Sequence, residues 1–272
     1  MYFYRLQGGE IMSSRRIKAI LLHAWYHLNH SVETWIDLFW FSLINIFVFG
    51  LITIYFVQEG NTQQVAYILQ GLILWGVIYT GQYSITVGAL WEIWSKSFSS
   101  LFISPLTLDE FVIGHMLGGL FKSIAVFLIT AGVSLALYNY SIFQLGWILI
   151  LFYFELLIFA WSAGIFILSL ILRFGTNIQS LAWGLVFLVQ PISAVFFPVD
   201  VLPQQIRWLS YAFPVTYIFE AARSKISTGL INWQYIAYAT LLNIVFFFLC
   251  YLLMKKMMQR GRETGSFARM EN

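Results

Sequence analysis

Apolar and polar positions along this chain are not mixed at the scale of a soluble fold. Residues 38–57, 65–90, 178–199 and 233–254 are apolar almost without interruption. Two further stretches, 111–138 and 145–172, match them once a single ionisable residue is allowed in each, Lys122 in the first and Glu155 in the second. A helix needs about 20 apolar residues to cross a hydrocarbon core of about 30 Å. The runs lack the alternation of a barrel strand, and only helices or closed barrels satisfy their backbone in lipid. The pattern therefore predicts an all-α integral membrane protein with six transmembrane helices: a six-span region over residues 34–254, preceded by a segment at 1–33 and followed by a tail at 255–272.

Composition strengthens that reading. Hydrophobic residues make up 60% of the 272 and charged residues only 10%, against about 25% charged in an ordinary soluble domain. The mean hydropathy is +0.78. Aromatics reach 19%, in keeping with many interfacial crossings, where Trp and Tyr collect. A net charge of +3 is too small to argue for nucleic acid. The single cysteine, Cys250, excludes an internal disulfide and reads as a small hydrophobe in an apolar run. The first dozen residues do not predict a cleavable signal peptide, and Met12 is a second plausible start that would make residues 1–11 an extension.

Lysine and arginine set the orientation. Arg5, Arg15, Arg16 and Lys18 precede the first span, Lys96 follows the second, Arg173 follows the fourth, and Lys255, Lys256, Arg260, Arg262 and Arg269 follow the sixth. Those eleven fall on one side if both termini are cytoplasmic, while Arg207, Arg223 and Lys225 share one long outer loop. Both termini are predicted to be cytoplasmic, in a multi-pass protein of the cell membrane.

Residues 15–30 form an amphipathic pattern. Ile17, Ile20, Leu21, Ala24, Trp25 and Leu28 share a face from which Arg15, Arg16 and Lys18 lie away. Such a helix lies in the membrane interface. His23, His27 and His30 also share a face, but no Asp, Glu or Cys of this segment joins them, so a polar interfacial face is expected rather than a metal site. After the second span, SPLTLDEF carries a helix start, with Thr107 as cap and Glu110 three residues on. It reads either as a short helix held at the membrane surface or as a plain connecting turn. After the fifth span, Pro198, Pro203 and Pro214 divide a semi-apolar outer segment, which predicts two short helices dipping back toward the membrane.

Lys122 and Glu155 each lie about 15 Å inside their spans at about 1.5 Å per residue. A lone charge at that depth costs about 2.5–3.5 kcal/mol, so the two are expected to pair, within the chain or across a subunit interface. That pair reads equally as part of a translocation path or as a structural register pin. Asp37 sits at the start of the first span, where it can stay hydrated. Asn45, Gln82 and Gln190 read as helix–helix glue, and Gly114, Gly118 and Gly119 as a close-packing motif. No Walker GxxxxGK[ST], HExxH, GxSxG or paired CxxC is present. The halves show no inverted repeat of broken spans.

Two stretches carry a family resemblance: LFISPLTLDEFVIGHML, and FPVDVLPQQIRWLSYAFPVTYIFEAARSKISTG, with its run of prolines and an acid followed by Arg. With the six spans and the basic start SRRIKAILLHAW, the chain resembles the permease subunit of an ABC type-2 exporter. The resemblance implies a non-catalytic subunit that binds no cofactor itself, with ATP and Mg on a partner ABC ATPase subunit. It implies a homodimer, or a pair with a similar permease. Ser104, Pro105, Leu106, Thr107, Asp109 and Glu110 would mark the ATPase-docking segment, and the amphipathic helix would lie beside it. Pro198, Pro203, Pro214, Glu220 and Arg223 would be signature positions of the external re-entrant helices. The implied substrate is amphipathic or lipid-linked: a drug, lipid or glycoconjugate. The competing readings are an ion-coupled secondary transporter and a membrane-embedded lipid transferase, and dependence on a separate ATPase separates both from the first.

Overall fold

The computed structural model describes residues 12–58, 62–101 and 104–263. The expectations placed on Arg5, Arg269, the 1–11 extension and the end of the tail lie outside these residues. The chain folds as α1 (Ser14–His30), α2 (Val32–Trp35), a π-helical turn (Ile36–Trp40), α3 (Phe41–Gln58), α4 (Thr62–Trp94), α5 (Phe98–Leu101), α6 (Leu108–Tyr138), α7 (Ile148–Phe174), α8 (Leu181–Ile192), α9 (Gln204–Ser210), α10 (Pro214–Thr228) and α11 (Trp233–Glu263). Among the described residues, five helical stretches are long and apolar enough to cross a membrane: Val32–Phe56, Thr62–Trp94, Leu108–Tyr138, Ile148–Ile178 and Trp233–Gly261.

The five differ in what surrounds them. In its most apolar window α4 is 89% buried and α7 72%, whereas the windows of Val32–Phe56 and α11 are only 22% and 17% buried. The central helix is thus not the most apolar one. α4 carries Gln70, Thr80, Gln82, Ser84 and Thr86 inside the bundle, because lipid already solvates apolar side chains and it is the polar ones that gain from protein neighbours. The outer helices leave Phe47, Leu51, Phe248 and Leu249 exposed on their outward faces.

Contacts between helices fix their directions. α3 runs antiparallel to α4: the Tyr83 hydroxyl donates to Asp37 at 2.8 Å, and Phe41 stacks on Tyr79. α6 is also antiparallel to α4, with His115 against Gly88 and Val126 against Gly76. α7 is parallel to α4. A Cβ on Gly81 would lie 2.9 Å from that of Ala160, and one on Gly164 would lie 3.0 Å from Ile85 Cδ1. α11 in turn is parallel to α7, with Trp233 beside Trp147, Thr240 and Asn243 on Glu155, and Phe246 near Phe159.

The fifth apolar stretch, 178–199, is a helix only over the 12 residues Leu181–Ile192, about 18 Å at 1.5 Å per residue. Pro191 lies in its last turn, and Ala194 adopts a left-handed φ of 51°, which ends helical geometry. The chain nevertheless runs the length of α4 in the opposite direction. Gln179 meets Trp94, Ala182 meets Gln82, Phe187 meets Tyr79, Val195 meets Gly71, and Phe196 meets Gln64.

Candidate functional site

The start of α6 is organised as SPLTLDEF foretells. Thr107 Oγ1 accepts from the Glu110 amide at 3.2 Å, and Glu110 Oε2 accepts from the Thr107 amide at 3.0 Å. This capping box opens α6 itself, which runs unbroken to Tyr138. It does not open a separate surface helix; α5, before it, is a single turn.

Glu110 does more than cap. Its side chain is fully buried, Oε1 accepts from the Ser13 amide at 2.8 Å, and the Arg16 guanidinium lies 2.9 Å away. Arg16 also donates to the Pro105 carbonyl. So Arg16, expected to lie off the packed face of the amphipathic helix, instead turns inward, because the acid it serves sits in the first turn of α6, 94 positions later in the chain. Ile20 is buried on Gly114, where a Cβ would lie 2.6 Å from its side chain, and Leu21 lies over Gly118. The packing glycines of α6 thus accommodate α1, while Gly119 faces Ser84 of α4. Trp25, assigned to the apolar face, is 58% exposed.

Two more ion pairs close this face of the bundle. Asp109 pairs with Lys255 at 2.6 Å and accepts from the Tyr251 hydroxyl at 3.3 Å, tying α6 to the end of α11. Glu92 at the end of α4 lies 3.1 Å from His23 of α1 and accepts a bond from Ser97. The hydrogen bond between His23 and Glu92 raises the His23 pKa above the ordinary imidazole value. Burial, with Lys122 nearby, lowers that of His27. Of the predicted docking residues, Ser104 and Pro105 are exposed, Leu106, Thr107 and Asp109 are half-buried, and Glu110 is inaccessible. Glu110 is therefore held inside the chain, where it joins the start of α6 to α1.

Lys122 and Glu155 do not meet within the chain. Glu155 faces α11, where Oε1 accepts from Thr240 Oγ1 at 2.5 Å and Oε2 from Asn243 Nδ2 at 2.6 Å. Those donors offset the cost of the buried acid without a cation. Lys122 makes no ion pair or hydrogen bond among the described residues. It lines a cavity between α1, α4 and α6 together with His23, His27, Tyr83, Glu92 and His115. Sequence reasoning missed Glu92 and His115, although both are ionisable residues inside apolar helices, which is itself a signal. His23 and His27 of α1 belong to this cluster, whereas His30 turns to the Tyr26 carbonyl, and no group of three or more His, Cys, Asp or Glu among the described residues has metal-site geometry.

On the opposite face, two short helices form as predicted. Pro203 precedes α9 and Pro214 opens α10 at its first turn, where a missing N–H costs nothing. Pro198 precedes a short turn at Val199–Val201. Glu220 accepts from the Val199 amide at 2.8 Å and pairs with Arg223 at 2.8 Å. Arg223, 3% exposed, reaches the Val195 carbonyl at 3.3 Å. The acid–Arg signature is thus a clasp that holds the bent 195–199 segment on α10.

A family model described as ABC-2 type transporter matches residues 24–227, about three quarters of the chain, from the middle of α1 to the end of α10. A search of the curated proteins found no match.

Proposed function

This chain belongs to the ABC-2 type transporter family, and from that premise we propose that it is the permease of an ATP-driven exporter whose ATPase is a separate subunit. The family match carries the reading. The bundle supports its details. Because α7 and α11 run parallel, the chain must return across the bundle between residues 174 and 233. The α8 segment, laid antiparallel along α4, supplies that return, and six crossings result. The start of α1 and the end of α11 then lie on one face, which the positive-inside rule assigns to the cytoplasm.

The ATPase docks on that face, against Ser104, Pro105 and Leu106. Thr107, Asp109 and Glu110 fix this turn to the rest of the permease. A push on the turn reaches α1 through Arg16, α11 through Asp109 and Lys255, and the end of α4 through His23 and Glu92. ATP and Mg bind on the partner. The clasp of Glu220 and Arg223, with Pro198, Pro203 and Pro214, shapes the outer exit. Two permeases pair through the outward apolar faces of the bundle, and lipid covers what remains exposed. The transported molecule is amphipathic or lipid-linked.

The test is to purify the tagged full-length chain from its native membrane into nanodiscs, identify co-purifying chains by mass spectrometry and assay ATP hydrolysis. A Walker-type ATPase is expected with the wild type and not with a Ser104→Arg, Leu106→Asp variant. Transport by the chain without any ATPase would overturn the proposal and favour an ion-coupled transporter.

A further inference from the structure

We propose that the cleft between α1, α4 and α6 binds a phosphate group carried by a lipid or other amphipathic molecule. The site rests on the permease reading only in that it names a class of molecule the permease would hold. Its inner chamber, about 30 Å³, is lined by Lys122, His115, Tyr83 and Ser84. His23, His27, Trp91 and Glu92 continue into an outer chamber of about 370 Å³, which ends at Ser95, Ser97 and Leu101. The inner space suits a few oxygen-sized groups, and the outer one holds the rest of a larger molecule. α1 forms one wall of the cleft through His23, Ala24 and His27.

The balance of donors and acceptors there favours an oxyanion. Tyr83 already gives its proton to Asp37 at 2.8 Å, and Ser84 gives its proton to the His115 carbonyl at 3.2 Å. Glu92 is the one carboxylate in the lining, and His23 and Ser97 engage it. What remains unspent is cationic or donating. Lys122 has no counter-ion among the described residues. His115 is 5% exposed and its Nε2 has no hydrogen-bond partner. An ammonium offers three donors and the imidazole a fourth. The two non-bridging and two ester oxygens of a lipid phosphodiester give four acceptors to meet both, whereas a carboxylate has two.

The test uses the full-length chain in nanodiscs of neutral lipid, with native mass spectrometry reading retained phosphatidylglycerol against dioleoylglycerol and oleate. The wild type is expected to retain phosphatidylglycerol about tenfold over dioleoylglycerol. Lys122→Gln should erase that preference at an unchanged melting temperature, Lys122→Arg should keep it, and Arg173→Gln should leave it intact. Displacement by millimolar inorganic phosphate would show that the free anion suffices; no displacement would assign the site to a lipid head group. Equal retention of dioleoylglycerol by the wild type, an unchanged preference in a folded Lys122→Gln variant, or oleate binding as well as phosphatidylglycerol would overturn the proposal. If Lys122→Gln fails to fold, the wild-type lipid comparison and Lys122→Arg decide it. No arm uses the ATPase, so failure here leaves the co-purification test of the permease standing.

Discussion

Replacing Glu110 by Ala removes one carboxylate that serves three partners. The two backbone amides of Ser13 and Thr107 lose their acceptor, and the Arg16 guanidinium, 21% exposed, loses its anion. Loss of the cap costs about 1 kcal/mol. Breaking a buried pair and leaving the other charge costs about 3–5 kcal/mol, but Arg16 is partly open to water and still reaches the Pro105 carbonyl, so the lower end applies. A total of about 4 kcal/mol follows, of which about 3 kcal/mol anchors α1. Hydrogen exchange of the protein in nanodiscs reads that anchorage directly. The α1 amides of the Glu110→Ala variant should exchange about 100-fold faster, while α4 and α7 stay protected. Glu110→Gln keeps an acceptor suited to the third helical position and should cost only about 1–2 kcal/mol. A double-mutant cycle with Arg16→Ala should show coupling of about 1 kcal/mol or more. Additivity within about 0.5 kcal/mol, or unchanged α1 exchange in Glu110→Ala, would refute the claim that this acid anchors the amphipathic helix.

Three other outcomes are open to measurement. His23 has a raised pKa from its bond to Glu92, so its contribution is complete below the ordinary imidazole value of about 6.5 and fades as pH rises through the higher folded value. Exchange of the α1 amides should therefore accelerate with pH in that window beyond the intrinsic trend, and His23→Gln should flatten the step. Glu155→Ala should lower resistance to detergent unfolding by about 1–2 kcal/mol, with Glu155→Gln losing less because it can still accept from Thr240 or Asn243. Gly164→Ala would set a Cβ 3.0–3.2 Å from Ile85 and the Gln82 carbonyl and should destabilise by about 1–3 kcal/mol. Gly132→Ala, with nothing within 4 Å, should instead gain up to about 1 kcal/mol of helix propensity; equal effects at the two glycines would show that α4 and α7 are not so closely packed.

The long apolar runs, the helix start at Thr107 and the short proline-divided helices before the last span were legible because each depends on residues close together in the chain. Hydropathy over about 20 residues decides whether a stretch can cross lipid, and a capping box needs four consecutive residues. Pro191 was legible too, and its presence is the local reason that the fifth stretch is helical for only 12 residues. What stayed out of reach depends on which helices become neighbours. Lys122 and Glu155 sit on adjacent antiparallel segments at similar depth, which makes a pair reasonable from sequence. Only the packing of α7 parallel to α11 gave Glu155 two neutral donors and left Lys122 with His23 and His27 of α1. Likewise, the helical pattern of α1 sets Arg16 off its packed face, and only the fold of α1 over Gly114 joins it to Glu110. In lipid, apolar surface is satisfied almost anywhere, so hydropathy selects the segments but not their neighbours. The few polar groups and close-packed glycines make that choice, and their partners are assigned only in three dimensions.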